Sequence, residues 1–226
     1  MKQHNNLLIS AISSIAALSS VNAATALIDF GTANAASPYN TAPLLGGAST
    51  GNIALNDTTT TATGWTVNVT ENGNGNGGNA GAGANVSSFP TALNSFSVEA
   101  LQDSIFANGN AASMVLTLSG LNTTLTYDLL LYGSRGNAQS AEQTWTLNEG
   151  SGASPLTHAS GLNSTTAVDW TSLLPNGSGV IEVTITNAGA GALALNFASI
   201  TENAVPEPSS ALLCSLAGLS LLARRR

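Results

Sequence analysis

The 226 residues carry five Lys and Arg against twelve Asp and Glu, two His and one Cys, for a formal net charge of −7. Nucleic acid and anionic lipid are excluded as partners of the interior, because phosphate binding needs clustered Lys and Arg to release counterions. A disulfide framework is excluded too, because Cys214 stands alone.

At the N-terminus, Lys2 precedes an apolar run from Leu7 to Leu18, and Val21-Asn22-Ala23 supplies small residues for a cleavage site. This order reads as a secretory signal peptide, residues 1–23, cut after Ala23. Residues 24–204 then make one domain, long enough to bury a core without cross-links. Lys2, Arg224, Arg225 and Arg226 all lie in the terminal segments. Arg135 is therefore the one cation of the central domain, set against eleven carboxylates.

Strand patterning dominates that domain. Trp65–Thr70 alternates apolar and polar residues, and Ile181–Thr186 does the same, with Ile181, Val183 and Ile185 expected on a core face. Ser113–Leu118, Tyr127–Tyr132, Glu142–Leu147 and Leu193–Ile200 are further predicted strands, rich in Leu, Val, Thr and aromatic residues. Turn chemistry separates them at residues 119–122, 148–152 and 175–179, where Gly and Asn can take positive φ. Asn72–Asn85 is almost entirely Asn, Gly and Ala and predicts a surface loop with nothing large to bury. It lacks the Lys and the Ser or Thr of a phosphate-binding loop. Val98–Phe106 is the one stretch that allows a helical turn. Short strands at short spacing predict an all-β, antiparallel β-sandwich, flanked by a signal helix and a short hydrophobic C-terminal helix.

The chain ends in Pro206-Glu207-Pro208, an apolar run from Ala211 to Ala223, and Arg224-Arg225-Arg226. As a helix the run would span roughly 20 Å, short of the roughly 30 Å hydrocarbon core of a bilayer. The arginines favour the cytoplasmic face, which puts the preceding domain on the outside. A short buried core helix is the alternative, but nothing follows the arginines to cover them. Residues 205–226 resemble the PEP-CTERM sorting signal of Gram-negative bacteria in motif, order and terminal position. That resemblance implies transient insertion into the inner membrane and cleavage near Pro206-Glu207-Pro208 by an exosortase-type membrane protease. It also implies release or attachment at the cell surface or in the extracellular matrix.

Catalytic chemistry has few candidates. The domain holds one histidine, His158, and no cysteine or lysine, so a His and Cys metal site cannot assemble within it. A Ser-His-acid triad is arithmetically available, but no Gly-x-Ser-x-Gly elbow supports one. Glu99 with Asp103, or Glu142 with Glu149, could serve a glycoside hydrolase or lyase, which needs two carboxylates about 5 to 10 Å apart. Solvated surface acids are the ordinary alternative. Arg135 can pair with Asp29, Asp128 or Asp169, or clamp a ligand carboxylate. Trp65 and Trp145 sit in alternating strands and are expected in the core. Trp170, beside a Pro-Asn-Gly turn, packs inward or offers its ring to a sugar.

Leu116–Gly136 runs strand, Ser-Gly-Leu, polar bridge, Tyr-Asp, then a second apolar strand ending in Tyr-Gly-Ser-Arg. This order is similar to segments of bacterial jelly-roll domains of the galactose-binding-like type. The resemblance implies a jelly roll that binds carbohydrate without catalysis, in some cases around a structural calcium. The reading that emerges is an exported, non-enzymatic structural or adhesive sandwich, with extracellular polysaccharide as its expected partner. The alternative is a carbohydrate-active enzyme working through paired carboxylates.

Overall fold

The computed structural model describes residues 23–32, 35–44, 49–72, 78–80, 88–109, 111–135, 142–151, 155–159, 163–187 and 191–203. The signal segment up to residue 22 and the tail from residue 204 lie outside the described residues, as do Pro206, Glu207, Pro208, Arg224, Arg225 and Arg226. Ala23, the expected cleavage point, is exposed irregular chain just ahead of the first strand.

Fourteen strands are described: β1 (Thr25–Asp29), β2 (Tyr39–Thr41), β3 (Ile53–Asn56), β4 (Ala62–Glu71), β5 (Gly78–Ala80), β6 (Ser104–Asn108), β7 (Ser113–Ser119), β8 (Thr126–Tyr132), β9 (Glu142–Glu149), β10 (Leu156–Ala159), β11 (Val168–Leu173), β12 (Ile181–Asn187), β13 (Ala192–Leu195) and β14 (Phe197–Asn203). One sheet runs β11-β8-β14-β1-β2, a second β10-β9-β12-β7-β4-β3, and a small third β13-β6-β5. Within this order lies an eight-stranded jelly roll. β1, β8, β11 and β14 form one sheet, while β7, β9, β10 and β12 form the other. The chain crosses between them from β7 to β8, β8 to β9, β10 to β11, β11 to β12, and β12 to β14, so the strand order itself establishes the jelly roll. β2 extends one sheet and β4 with β3 the other.

Alternation builds the core. In β7, β8 and β12 every second side chain is buried, and those chains meet across the gap between the sheets. Val67, Val69, Leu116, Leu118, Ile181, Val183 and Ile185 come from one sheet. Ala26, Ile28, Leu129, Leu131, Ala198 and Ile200 come from the other. Trp65 and Trp145 lie in this core as expected. Trp65 meets Tyr127 of the opposite sheet edge to face, with ring centroids 5.6 Å apart. The Tyr127 hydroxyl accepts the Asn122 N–H at 2.8 Å and lies 3.2 Å from Glu202 Oε2. Burial, then the neighbouring Glu202 carboxylate, push it up to about 12.

Several strands carry no alternation. β13 is buried throughout, and β1 and the first half of β14 nearly so, the last two because residues 88–103 cover their outer side. That segment holds a 3-10 turn, Thr91–Leu93, and one five-residue helix, α1 (Val98–Gln102). The sequence expectation of one strand over Leu193–Ile200 is corrected. Asn196 interrupts it, sending Ala192–Leu195 to β6 and Phe197–Asn203 to β1 and β8. The loop expected over Asn72–Asn85 is corrected in part, since Gly78–Ala80 pairs with β6. Residues 73–77 and 81–87 lie outside the described residues.

Two glycines at one end show how tightly the connections pack. Gly120 has φ +78°, and a Cβ there would sit 2.5 Å from the Gly64 carbonyl oxygen, whereas a Cβ on Gly177 would meet nothing within 4 Å. Gly120→Ala is therefore expected to cost about 2 kcal/mol or more in urea denaturation, through positive φ and backbone collision. Gly177→Ala should stay within about 0.5 kcal/mol of the parent, as an uncrowded surface change does. Trp145→Ala should lower stability by about 3 to 5 kcal/mol by emptying a fully buried site.

Candidate functional site

The acid pairs that a hydrolase would need do not form where the sequence offered them. Glu142 and Glu149 stand at opposite ends of β9, about 23 Å apart at the usual rise along a strand. Glu99 is exposed and turned to the Ser97 hydroxyl, which holds its carboxyl below the usual range, while Asp103 is fully buried. Strand register does oppose Glu149 to Glu182 across a bulge. Each is bound by amides of its own: Glu149 accepts from Asn176 at 2.9 Å, and Glu182 from Asn148 at 3.2 Å.

Asp29 and Asp103 form the buried acid pair, one that sequence reasoning missed. Asp29 ends β1 and Asp103 ends α1, 74 positions later, and both are 0% exposed. Asp29 Oδ2 accepts the Ala35 N–H at 2.8 Å, and its carboxyl lies beside that of Asp103. Gly31 makes the room, since a Cβ there would lie 2.1 Å from Asp103 Oδ2. Two ionised carboxylates side by side in a buried site repel, so the pair favours keeping one proton between them. Burial first, then the neighbouring carboxyl, raise Asp29 from its ordinary 3.8 to about 7, against the lowering effect of the Ala35 N–H. The pair is out of reach of any substrate. The one residue-level signal was Asp29-Phe30-Gly31, an acid on an apolar strand just ahead of a glycine.

These two acids were also the place to look for the calcium that the jelly-roll resemblance implies. Calcium takes six to eight oxygen ligands, several of them carboxylate, but among the described residues no three His, Cys, Asp or Glu side chains gather around one point. Asn196 beside the pair is occupied, taking the Ser134 N–H at 2.7 Å and giving to the Leu101 carbonyl at 3.0 Å.

Arg135 has partners other than those expected. Its Cζ stands 4.1 Å over the centre of the Phe106 ring, and Nη1 donates to Asn108 Oδ1 at 2.8 Å. The expected pairings with Asp29, Asp128 or Asp169 are corrected. Asp29 is bound to Ala35 and Asp103, Asp128 takes the Ser172 N–H and the Asn203 amide, and Asp169 is exposed on β11. Trp170 as a sugar platform is corrected as well. Its side chain is 6% exposed and belongs to the main core, because β11 pairs with β8 and turns alternate residues inward. The backbone of His158 pairs with Gln143 at the sheet edge, while its side chain lies outside the described residues.

All eleven Phe, Tyr and Trp residues lie among the described residues, and none is exposed. The outer face of the six-stranded sheet is instead built of short polar chains. Register lines up Thr157, Thr144, Thr186 and Ser113 in one row, and Thr146, Thr184, Val115 and Thr70 in the next. Glu182, Thr117 and Asn68 form a third. Cross-strand Thr pairs of this kind contribute roughly 0.2 to 1 kcal/mol each while leaving hydroxyls in water.

No family model matches the chain, and no curated protein does. Among solved structures it is similar to the enzymatically active domain of bacteriophage CBA120 tailspike protein 4, with 13% identity and a TM-score of 0.35 over 61% of this chain and 19% of that one. It is also similar to TmCBM61 in complex with beta-1,4-galactotriose, with 11% identity and a TM-score of 0.35 over 61% of this chain and 88% of that one. A family 35 carbohydrate binding module from an environmental isolate matches at 17% identity and a TM-score of 0.31, over 57% of this chain and 90% of that one. The first two matches, the tailspike and an exo-beta-1,3-galactanase from Phanerochaete chrysosporium, are much longer, and the chain spans 19% and 30% of them.

The raised Asp29 fixes a sign for pH dependence. Between its ordinary 3.8 and about 7 the folded chain keeps a proton that the unfolded chain has lost. The contribution of this group to stability is therefore full below about pH 4 and is lost as pH rises through about 7. Asp29→Asn, which can donate its amide to Asp103, is expected to flatten that decline when urea midpoints are compared from pH 4 to 8.

Proposed function

We propose that this is an exported cell-surface or extracellular-matrix protein whose central jelly roll is a non-catalytic structural or adhesive module. The observation that carries this reading is the direction of its side chains: all aromatic rings face inward, and the broad outer sheet face offers hydroxyls and amides. A surface of this kind stays hydrated and soluble. It meets neutral extracellular polysaccharide through hydrogen bonds rather than ring stacking. The long separation of Glu142 from Glu149 and the burial of Asp29 with Asp103 argue against hydrolysis by paired acids.

Export and sorting agree with the placement of the domain ends. β1 and β14 are antiparallel neighbours, and the Glu202 N–H donates to the Ala24 carbonyl at 2.8 Å. Signal peptide and sorting tail thus leave side by side from one end of the sandwich, where both can be cut without disturbing a strand. In this reading an exosortase-type membrane protease removes the tail near Pro206-Glu207-Pro208 after transient insertion in the inner membrane of a Gram-negative bacterium.

Mass spectrometry of the protein extracted from the surface of its native cells tests the processing. The expected product begins at Ala24 and ends near Pro206; a surface form that keeps Arg224–Arg226 would overturn it. Affinity electrophoresis through neutral polysaccharide tests the contact. Retardation is expected to survive Trp170→Phe, which leaves the outer face unchanged, and to weaken when Thr144, Thr184 and Thr186 are replaced by Glu.

A further inference from the structure

Residues 88–103 lie on the outer face of the five-stranded sheet and close over a second apolar cluster, separate from the main core. From the sheet come Leu27 of β1, Tyr132 of β8 and Phe197 of β14, with Tyr39 of β2 packed against them. From the cover come Leu93, Ala100 and Leu101, with Phe89 and Phe96. Phe96 packs on Phe197 with ring centroids 4.6 Å apart, and Phe89 meets Tyr132 edge to face at 6.2 Å.

The cover has little stability of its own. Its helix is five residues long, and Ser97 at its start makes no side-chain cap, well below the roughly 12 residues at which a helix becomes marginal in isolation. Three polar ties hold it down. The Ser97 N–H donates to the Tyr39 hydroxyl at 2.6 Å, and Asn196 Nδ2 donates to the Leu101 carbonyl at 3.0 Å. At the end of α1 the carboxyl of Asp103 meets that of Asp29.

We propose that the Asp29–Asp103 carboxyl pair is a proton-operated latch, closed while the two acids share a proton and released when it is lost, so that residues 88–103 lift from the aromatic patch beneath. Without the proton, two like charges would occupy a buried site, a state that carboxylates in contact avoid. Nothing cationic among the described residues offsets them, because Arg135 is held over Phe106 and against Asn108.

Three other titratable groups lie beside the cover, while Tyr127 and Asp128 of β8 and Glu202 of β14 sit toward the far end of their strands. Glu99 on α1 faces solvent and Ser97; Tyr39 on β2 accepts from the Ser97 N–H; Tyr132 on β8 donates to the Asn163 carbonyl, with burial raising its hydroxyl. Asn196 and Phe197, where β14 begins, add no ionisable group to this junction. Relief comes from the cover rather than the sandwich because the cover buries seven residues in its cluster and the main core thirty. Lifting it presents the rings of Tyr39, Tyr132 and Phe197, an aromatic surface that the closed protein lacks. The latch does not depend on the polysaccharide reading.

Hydrogen exchange of the purified full chain, read by mass spectrometry with a chelator present, tests the latch. Rates at pH 6 and pH 8.5 are corrected for the intrinsic pH dependence of exchange. Amides of residues 91–103 are expected to exchange at least about tenfold faster at pH 8.5, the factor that one pH unit beyond the transition supplies. Those of β12 should not change. Asp29→Asn and Asp103→Asn should each keep the cover slow at both pH values, since an amide can donate to the remaining carboxylate. Three outcomes overturn the proposal: a cover whose corrected rates ignore pH, a cover and β12 that accelerate together, or Asn variants that accelerate as the parent does. Should one Asn variant fail to fold, the other and the parent decide it.

Discussion

The sandwich depends on β14. This last described strand runs between β1, the first, and β8, from the middle of the chain, and it pairs with both along most of its length. Without it the five-stranded sheet falls into two pieces, and the core has no wall opposite Val67, Leu116 and Val183. The fold therefore cannot close until its far ends meet, a contact of high sequence separation whose loop-closure entropy must be met before the ladder bonds form. Once made, the ladder holds the first and the last described strands side by side.

Asn196 sets where that strand begins. Its backbone N–H donates to Tyr132, its carbonyl accepts from Phe30, and its side chain bridges Ser134 and Leu101. One residue thus joins the ends of β1 and β8 to the covering helix while sending the preceding four residues into a different sheet. A buried amide with every group satisfied rigidifies its surroundings, whereas one left half satisfied would be costly. The same small region holds the Asp29–Asp103 pair, so the polar part of the interior is concentrated where three elements converge.

Polarity elsewhere follows a simpler rule. The six-stranded sheet is covered on one face only, so its strands alternate strictly, and their outward residues are Thr, Ser and Asn rather than Lys and Arg. Hydration of the surface then rests on hydroxyls and on the carboxylates outside the buried Asp29–Asp103 pair rather than on mixed charge. Arg135, the lone cation of the domain, serves packing against Phe106, where a planar guanidinium can lie on a ring as an ammonium cannot.

Alternation made β4 and β12 legible in the sequence, richness in Leu, Val, Thr and aromatic residues marked β7, β8 and β9, and Gly with Asn marked their turns. The inward places of Trp65 and Trp145 followed from the same period-two pattern, and so did the all-β class. The sequence did not show β1, and it read β13 and the start of β14 as one strand, because strands covered on both faces lose their period and read as plain apolar runs. Nor could it pair Asp29 with Asp103, since residues 74 positions apart meet only after the sheet and its cover have formed. Trp170 looked available because it neighbours a turn, and only the pairing of β11 with β8 turned it inward. Local pattern determined which segments became strands; tertiary structure decided which polar groups were buried together, because burial belongs to the folded surroundings of a residue and not to its neighbours in the chain.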